Sequence, residues 1–315
     1  MPRRQLGGSG TEVSVLSLGS WKTYERMSRD DGAAVMARAR DVGITFFDDA
    51  RYNDETGRAP IPTGYSEVVF GELFRQTFAD RGDAVVANKL WWEFWPEQSA
   101  ADELAGSLGR LQFDHVDLIY ALPPPDDLGI DGAVAEMAGL IEAGTARMWG
   151  FANWSADQIT YALRVVERTG APRPCAAQLP YSLVQRNWVE SAQMAHNLSE
   201  EGIGLVASYS IAGGTLSGKY LTGRAGRASE GPDNPVHVAG KAAAPQLVAL
   251  ATEWHVKPAQ LALAFALGHP RLSSLLFGAT SPAQIDENVS ALDVLASLDP
   301  DQIVRLRQVG DEART

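Results

Sequence analysis

The chain has 315 residues, 45% of them hydrophobic and 21% charged, which is the balance of a folded globular protein and excludes wholesale disorder. Lys and Arg number 27 against 39 Asp and Glu, a formal net charge of −12, so neither nucleic acid nor an anionic membrane surface is expected as a partner, since both call for a basic face. The single cysteine, Cys175, excludes an internal disulfide framework, and no apolar run approaches the ~18 residues that span a bilayer.

In chain order, residues 1–10 are polar and lack the apolar segment of a signal peptide, so a cytoplasmic protein is expected. Residues 13–18 read as a strand, followed by a helix over 31–42 with Val35, Met36, Ala39 and Val42 on one face. The pattern then repeats. Strands at 44–47, 84–87, 116–120 and 148–151 precede helices at 67–78, 99–111, 132–143 and 156–166. A weaker strand at 175–179 precedes a helix near 188–198. A strand at 203–207 precedes helices near 246–254 and 258–267, and a strand at 272–277 precedes a helix over 282–292. Eight strand–helix units averaging about 39 residues predict a single (β/α)8 TIM barrel domain over the whole chain. A doubly wound sheet is the rival, weakened by the lack of Gly-x-Gly-x-x-Gly after the first strand and of any composition shift. Residues 53–64, 123–129 and 223–240 are expected as long loops, the last as a mobile flap.

In a barrel the strand ends and the loops after them carry function. Asp48 and Asp49 close the second strand and Lys89 the third, so barrel geometry brings a carboxylate and an ammonium to one rim, where they pair because neither is desolvated alone. A purely structural ion pair is the competing reading. Tyr52 follows Asp48 closely. A lysine beside a phenol is expected to lower its pKa from ~10 and to ready it as a proton donor to a developing alkoxide. Trp91-Trp92-Glu93-Phe94-Trp95 puts four aromatics in a loop, either lining an apolar cleft for a bulky substrate or filling a gap under a helix. Gly213-Gly214-Thr215-Leu216-Ser217-Gly218-Lys219 is close to a phosphate-binding loop, but Tyr220 stands where a triphosphatase needs Ser or Thr. A diphosphate cradle and a flexible turn remain as readings. The five histidines lack metal-ligand spacing, so no catalytic metal is expected, and no nucleophile elbow marks a serine hydrolase.

Several segments together give the chain a family likeness. They are Gln5-Leu6-Gly7-Gly8-Ser9-Gly10 with Leu18-Gly19-Ser20-Trp21; Phe46-Phe47-Asp48-Asp49-Ala50, similar to "FFDTA"; Gly150-Phe151-Ala152-Asn153-Trp154-Ser155, similar to "GxSNWS"; Leu216-Ser217-Gly218-Lys219-Tyr220, similar to "LTGKY"; and Phe277-Gly278-Ala279-Thr280 through Gln284 to Glu287-Asn288. On these the chain resembles the aldo-keto reductases over nearly its whole length. It is nearest the short-tailed branch that includes voltage-gated potassium channel β subunits and bacterial relatives.

The resemblance implies a barrel capped by a short N-terminal β-hairpin, extended binding of NADPH, and hydride transfer to an aldehyde or ketone. It implies Asp48, Tyr52 and Lys89 as catalytic, with Tyr65 as the lesser alternative to Tyr52. Asn153 and Gln178 fall on positions that hold the carboxamide; Gly213, Lys219, Gly278, Thr280, Gln284, Glu287 and Asn288 fall on diphosphate and adenosine contacts. Ser20, Trp21, Asp48, Ser208, Tyr209, Ser210, Ile211 and Ala212 complete the expected cofactor surface, with Tyr209 beside Ser208 at the place of the ring that stacks on nicotinamide. Trp21, Trp91, Trp92 and Leu122 are expected to line an apolar substrate pocket suited to a bulky ketone, such as a polyketide-type secondary metabolite.

Leu122 stands where the family carries His or Asn, leaving the phenol as the obvious electrophilic group. Residues 278–288 hold neither Lys nor Arg, so the charge for a 2′-phosphate falls to Lys219, Arg224 or Arg227; NADPH is expected, with NADH open. The resemblance also implies a homo-oligomer, a tetramer or larger ring. Two other classes compete: a low-turnover regulatory subunit that binds NADP(H), and a Schiff-base lyase with Lys89 as nucleophile, which pairing with Asp48 disfavours by keeping the amine protonated.

Overall fold

The computed structural model of the chain describes residues 1–223, 226–231 and 233–311. Residues 13–18 are two strands. β1 (Arg3–Gln5) pairs antiparallel with β2 (Glu12–Ser14), and the chain breaks at Val15 before β3 (Leu16–Gly19). The break comes at Ser14, whose hydroxyl donates to Leu16 O at 2.6 Å and accepts from Thr45 N–H at 2.9 Å in place of a regular ladder bond.

Seven more strands follow: β4 (Phe46–Asp48), β5 (Val85–Leu90), β6 (Val116–Ala121), β7 (Ala146–Ala152), β8 (Ala176–Pro180), β9 (Gly204–Ser208) and β10 (Leu272–Phe277). They close with β3 into a barrel of order β10-β3-β4-β5-β6-β7-β8-β9, every neighbouring pair parallel. Helices cover the outer face and side chains fill the interior, which is why the strands read as continuous apolar runs.

Phe46, Ala87, Leu118, Tyr120, Ala152, Ala176 and Val206 pack inside the barrel with Leu6 and Val13 of the hairpin, so the hairpin plugs the N-terminal end. Gly7 is required there. Its φ is +53°, and a Cβ would fall 2.1 Å from Cys175 O.

The helices are α1 (Arg29–Asp41), α2 (Tyr65–Thr77), α3 (Ala100–Leu111), α4 (Gly129–Glu142), α5 (Ala156–Thr169), α6 (Asn187–Glu190), α7 (Ala192–Glu200), α8 (Pro235–Glu253), α9 (Pro258–Leu267), α10 (Pro282–Val289), α11 (Ala291–Ser297) and α12 (Pro300–Arg307). Side-chain caps set several starts: Ser28, Ser99, Ser155, Asn234, Ser281 and Asp299 each accept from an amide in the first turn.

Three helical expectations change. The helix near 188–198 is divided at Ser191, which caps α7. α8 begins at Pro235 and runs through Pro245, so the flap ends at Asn234 rather than residue 240. The helix over 282–292 ends at Val289, and two unforeseen helices, α11 and α12, follow. Among the described residues no helix is long and apolar enough to cross a membrane.

Candidate active site

Asp48 closes β4 and Lys89 is the penultimate residue of β5, so adjacent parallel strands deliver both side chains to the C-terminal rim. Both are buried, and Lys89 Nζ donates to Asp48 Oδ1. The second carboxylate oxygen accepts from Gln178 Nε2 at 2.9 Å across the barrel from β8. Satisfied on both oxygens, Asp48 holds the ammonium charged and fixed. Lys89 Nζ also reaches Tyr52 OH at 3.5 Å. Tyr52 is placed by its local loop: Gly64 N–H donates to Tyr52 O at 2.8 Å and Asn53 bridges Thr63, closing residues 53–63 at their base. Tyr65 is elsewhere. It opens α2, where its hydroxyl accepts from Arg29 at 3.2 Å, so geometry selects Tyr52 as the phenol beside the lysine.

The expected lowering of the Tyr52 pKa is reversed. Burial, then the charge of Asp48, pushes the phenol well above its usual range. The contact of the ammonium with Asp48 offsets part of its pull on the phenol, and what remains does not outweigh burial. The phenol therefore keeps its proton at neutral pH, which is the state a proton donor needs.

A cleft of about 420 Å³ opens above Tyr52. Trp21 and Trp91 form aromatic walls, the Trp91 ring lying 5.9 Å from that of Tyr52. The expected apolar pocket is corrected in two respects. Trp92 is in the core, 5% exposed, with its indole N–H on Leu122 O at 2.9 Å, and neither it nor Leu122 lines the cleft. The rest of the lining is polar: Asn53, with Lys22, Arg26 and Arg51 facing Glu25, Glu55 and Glu93.

Glu103 of α3, which the sequence reading missed, pins the tryptophan loop. Its buried carboxylate accepts from the backbone N–H groups of Trp91 and Trp92 at 3.0 and 3.2 Å and lies 3.6 Å from Arg51. Its signal was the capped start of α3 after an aromatic loop, and a glutamate on a helix reads as solvated. Glu67, Asn88 and Arg110 were missed in the same way: Glu67, fully buried, accepts from Asn88 at 2.9 Å and from Arg110 at 2.6 Å.

The other expected cofactor residues lie at strand ends and in the loops after them. Asn153, exposed at the end of β7 with φ +60°, donates its N–H to Gln178 O at 3.0 Å. Ser208 closes β9, and Tyr209 follows with φ +59°. The Tyr209 ring stacks on His237 at 5.9 Å and lies 6.5 Å from Trp21. Its hydroxyl meets His237 Nε2, while His237 Nδ1 donates to Gly231 O at 2.7 Å, so the flap, α8 and the rim are joined.

Ser210, Ile211 and Ala212 lead into Gly213 and Gly214, which hold φ +67° and +89°, and a Cβ at Gly213 would fall 2.6 Å from His237 Nε2. Ser210 Oγ is buried with no hydrogen-bond partner among the described residues. Lys219 packs over Tyr220, 5.0 Å from the ring centre. Arg224 and the side chain of Arg227 lie outside the described residues. After β10, Gly278 and Thr280 are exposed, and Gln284 Oε1 accepts from Thr280 N–H at 2.7 Å. Glu287 pairs with Lys257 at 2.5 Å, with Asn288 half-buried beside it.

A family model described as the Aldo/keto reductase family matches residues 15–311. The chain belongs to the aldo/keto reductase family. Membership indicates an oxidoreductase, and the closed parallel barrel is the fold the family likeness implies. This aldo/keto reductase is similar to a probable voltage-gated potassium channel subunit beta from Oryza sativa subsp. japonica, with 33% identity over 98% of this chain and 96% of that protein. It is also similar to a probable voltage-gated potassium channel subunit beta from Arabidopsis thaliana, with 30% identity over the same shares.

Proposed function

We propose that this protein is an NADPH-dependent carbonyl reductase in which Tyr52 is the proton donor. The observation that carries the reading is the contact of Lys89 with both Asp48 and Tyr52 at the rim of a family barrel. The residues fit a nicotinamide dinucleotide on two grounds. Ser210 presents a buried hydroxyl without a partner among the described residues, and Gly213 and Gly214 keep free of Cβ atoms a turn that a diphosphate can approach closely. In this reading Asn153 and Gln178 hold the carboxamide, Ser20 and Trp21 border the ring, and Ser208 to Gly213 with Lys219 hold the diphosphate. Gly278, Thr280, Gln284, Glu287 and Asn288 hold the adenosine. When bound, the cofactor supplies the hydride.

The protein's own groups do the rest. Tyr52 donates its hydroxyl proton to the carbonyl oxygen as negative charge grows there. Lys89 then stabilises the phenolate, and Asp48 with Gln178 keeps the ammonium aimed at Tyr52 Oη. Leu122 contributes no donor, which concentrates oxyanion stabilisation on the phenol. The cleft fits a bulky carbonyl compound with one flat apolar part for the tryptophans and polar substituents for the charged rim.

A screen of aromatic aldehydes and ketones with NADPH and NADH tests this. Consumption of NADPH, lost in Tyr52→Phe, supports it. Binding without consumption for every carbonyl favours the second reading, a regulatory subunit, which rests on the names of the relatives and on Leu122. Assembly into a homo-oligomer is proposed alongside, with sizing in solution as its test.

A further inference from the structure

β4 ends on Asp48, and the acidic residue that follows it, Asp49, has opposite surroundings. Asp48 meets Lys89 inside the rim; Asp49, fully buried, meets Ser20 from the loop after β3 and Ser66 from α2. Strand alternation sends the two side chains to opposite faces. Asp49 replaces the threonine of the "FFDTA" pattern. A threonine there is uncharged, whereas an aspartate brings a charge with no cation to meet it. Its charged neighbour is Glu67, another carboxylate, held in turn by Arg110 and Asn88.

Asp49 is met by hydroxyl groups and, among the described residues, by no cation. Ser66 Oγ lies 2.9 Å from Ala50 O and 3.0 Å from Asp49 Oδ1. A hydroxyl has one proton to give, and a carbonyl can only accept. Ala50 O also accepts from Tyr52 N–H at 2.9 Å. The one Ser66 proton has two acceptors before it and brings no positive charge against the carboxyl group. Asp49 Oδ2 and Tyr24 OH are both buried and have no hydrogen-bond partner among the described residues. A neutral acid can donate one bond and leaves less uncompensated charge in this buried layer.

We propose that Asp49 is carried as a neutral carboxylic acid and acts as a positioning residue, fixing Ser20 and Ser66 on either side of the strand end that bears Asp48. Ser20 is the link to the site. Its N–H donates to Asp48 O at 3.0 Å, its hydroxyl meets Asp49, and it precedes Trp21 in the cleft wall. Loss of the proton adds a second negative charge on the buried side of β4, facing Tyr24, Tyr52 and Glu67. That charge also tightens the hold of Tyr52 on its proton. Burial, then the charge of Glu67, pushes the Asp49 carboxyl up to about 8, so the change falls on the alkaline side of neutrality. Its effect on turnover rests on the reductase reading; the protonation does not.

Infrared titration of the full chain reads the protonation directly. A protonated-carboxyl C=O stretch should be present at about pH 7, fade towards pH 9, and be missing in Asp49→Asn. In parallel, turnover with NADPH and an aromatic aldehyde is measured across the same range. Normalised to its own value at pH 7, wild type should lose about tenfold by pH 9, whereas Asp49→Asn stays level. Asp49→Thr, with the family's residue, serves as the second variant should the first fold poorly and should also stay level. Absence of the band at neutral pH, or the same alkaline loss in both variants, overturns the proposal. A band that titrates in a protein that turns over no carbonyl supports the neutral acid and sinks the reductase reading instead.

Discussion

Replacing Tyr52 by Phe removes one oxygen from the candidate site, and the structure gives the two effects of that removal very different sizes. The hydroxyl's bond to Lys89 Nζ is 3.5 Å long, beyond the usual 2.7–3.2 Å. Its loss should cost no more than about 1 kcal/mol of stability. The ring keeps its edge contact with Trp91 at 5.9 Å, and Lys89 keeps Asp48. For a chain of this length, that is a fall in Tm of at most about 2–4 °C. As a general acid, in contrast, the hydroxyl is worth roughly 10²–10⁴ in rate, or about 3–5 kcal/mol of barrier. Leu122 offers no substitute donor, so the upper half of that range is expected. Thermal unfolding by circular dichroism, a cofactor titration by quenching of tryptophan fluorescence, and single-turnover oxidation of NADPH read the three quantities separately. Tm and cofactor affinity should barely move while the single-turnover rate falls by at least two decades. A rate within threefold of wild type would refute the assignment of Tyr52.

Lys89→Met should abolish turnover and also destabilise by about 3–5 kcal/mol, because Asp48 is left as a buried carboxylate with Gln178 as its remaining partner; denaturant titration measures this, and a loss under about 1 kcal/mol would mean that water reaches Asp48. Arg110→Met should cost a similar amount by stranding Glu67, with little effect on the single-turnover rate of whatever protein stays folded. Glu103→Gln loosens the amides of Trp91 and Trp92. It should raise KM for bulky carbonyl substrates severalfold while leaving kcat for small aldehydes within about twofold, and an unchanged KM would show that the tryptophan loop holds its shape unaided. The Asp49 carboxyl also carries a stability signature. The unfolded chain releases this proton near the ordinary carboxylate value of about 3.9 and the folded chain near about 8, so the stabilisation is full below the first value and is lost as pH rises through the second. Urea titrations at pH 6, 7 and 8 should give a slope less negative in Asp49→Asn than in wild type by up to about 1.4 kcal/mol per pH unit, and parallel slopes would contradict it.

The legible part of this molecule was the part written in alternation. Short apolar runs and amphipathic stretches repeat eight times, and strand ends of a parallel barrel converge on one rim, so Asp48 and Lys89 could be brought together before any coordinates. Tyr52 and Tyr65 were both within reach of that rim in sequence. Only the folding of residues 53–64 back onto Tyr52 turns one inward and leaves the other on Arg29. Trp91 and Trp92 could not be separated because a loop has no period; a positive φ at Trp92 sends it to the core. The buried polar layer behind β4, made of Ser20, Asp49, Ser66, Glu67 and Asn88, was illegible for a different reason. Its members lie on four segments of the chain, and a polar residue on a helix face reads as solvated until packing shows what covers it. The break at Ser14, and the run of α8 through Pro245, were hidden because side-chain bonds and tertiary packing overrode local preference.

The central question for this protein is whether the Asp48, Lys89 and Tyr52 cluster reduces a carbonyl with a hydride taken from a bound nicotinamide. NADPH deuterated at the transferring position, mixed with the wild-type protein and an aromatic aldehyde or ketone, tests this in one mass-spectrometric measurement. One deuterium should appear on the carbonyl carbon of the alcohol product, and none when Tyr52→Phe or Lys89→Met replaces wild type. Full deuterium transfer by those variants, or an alcohol without deuterium from the wild type, would contradict it.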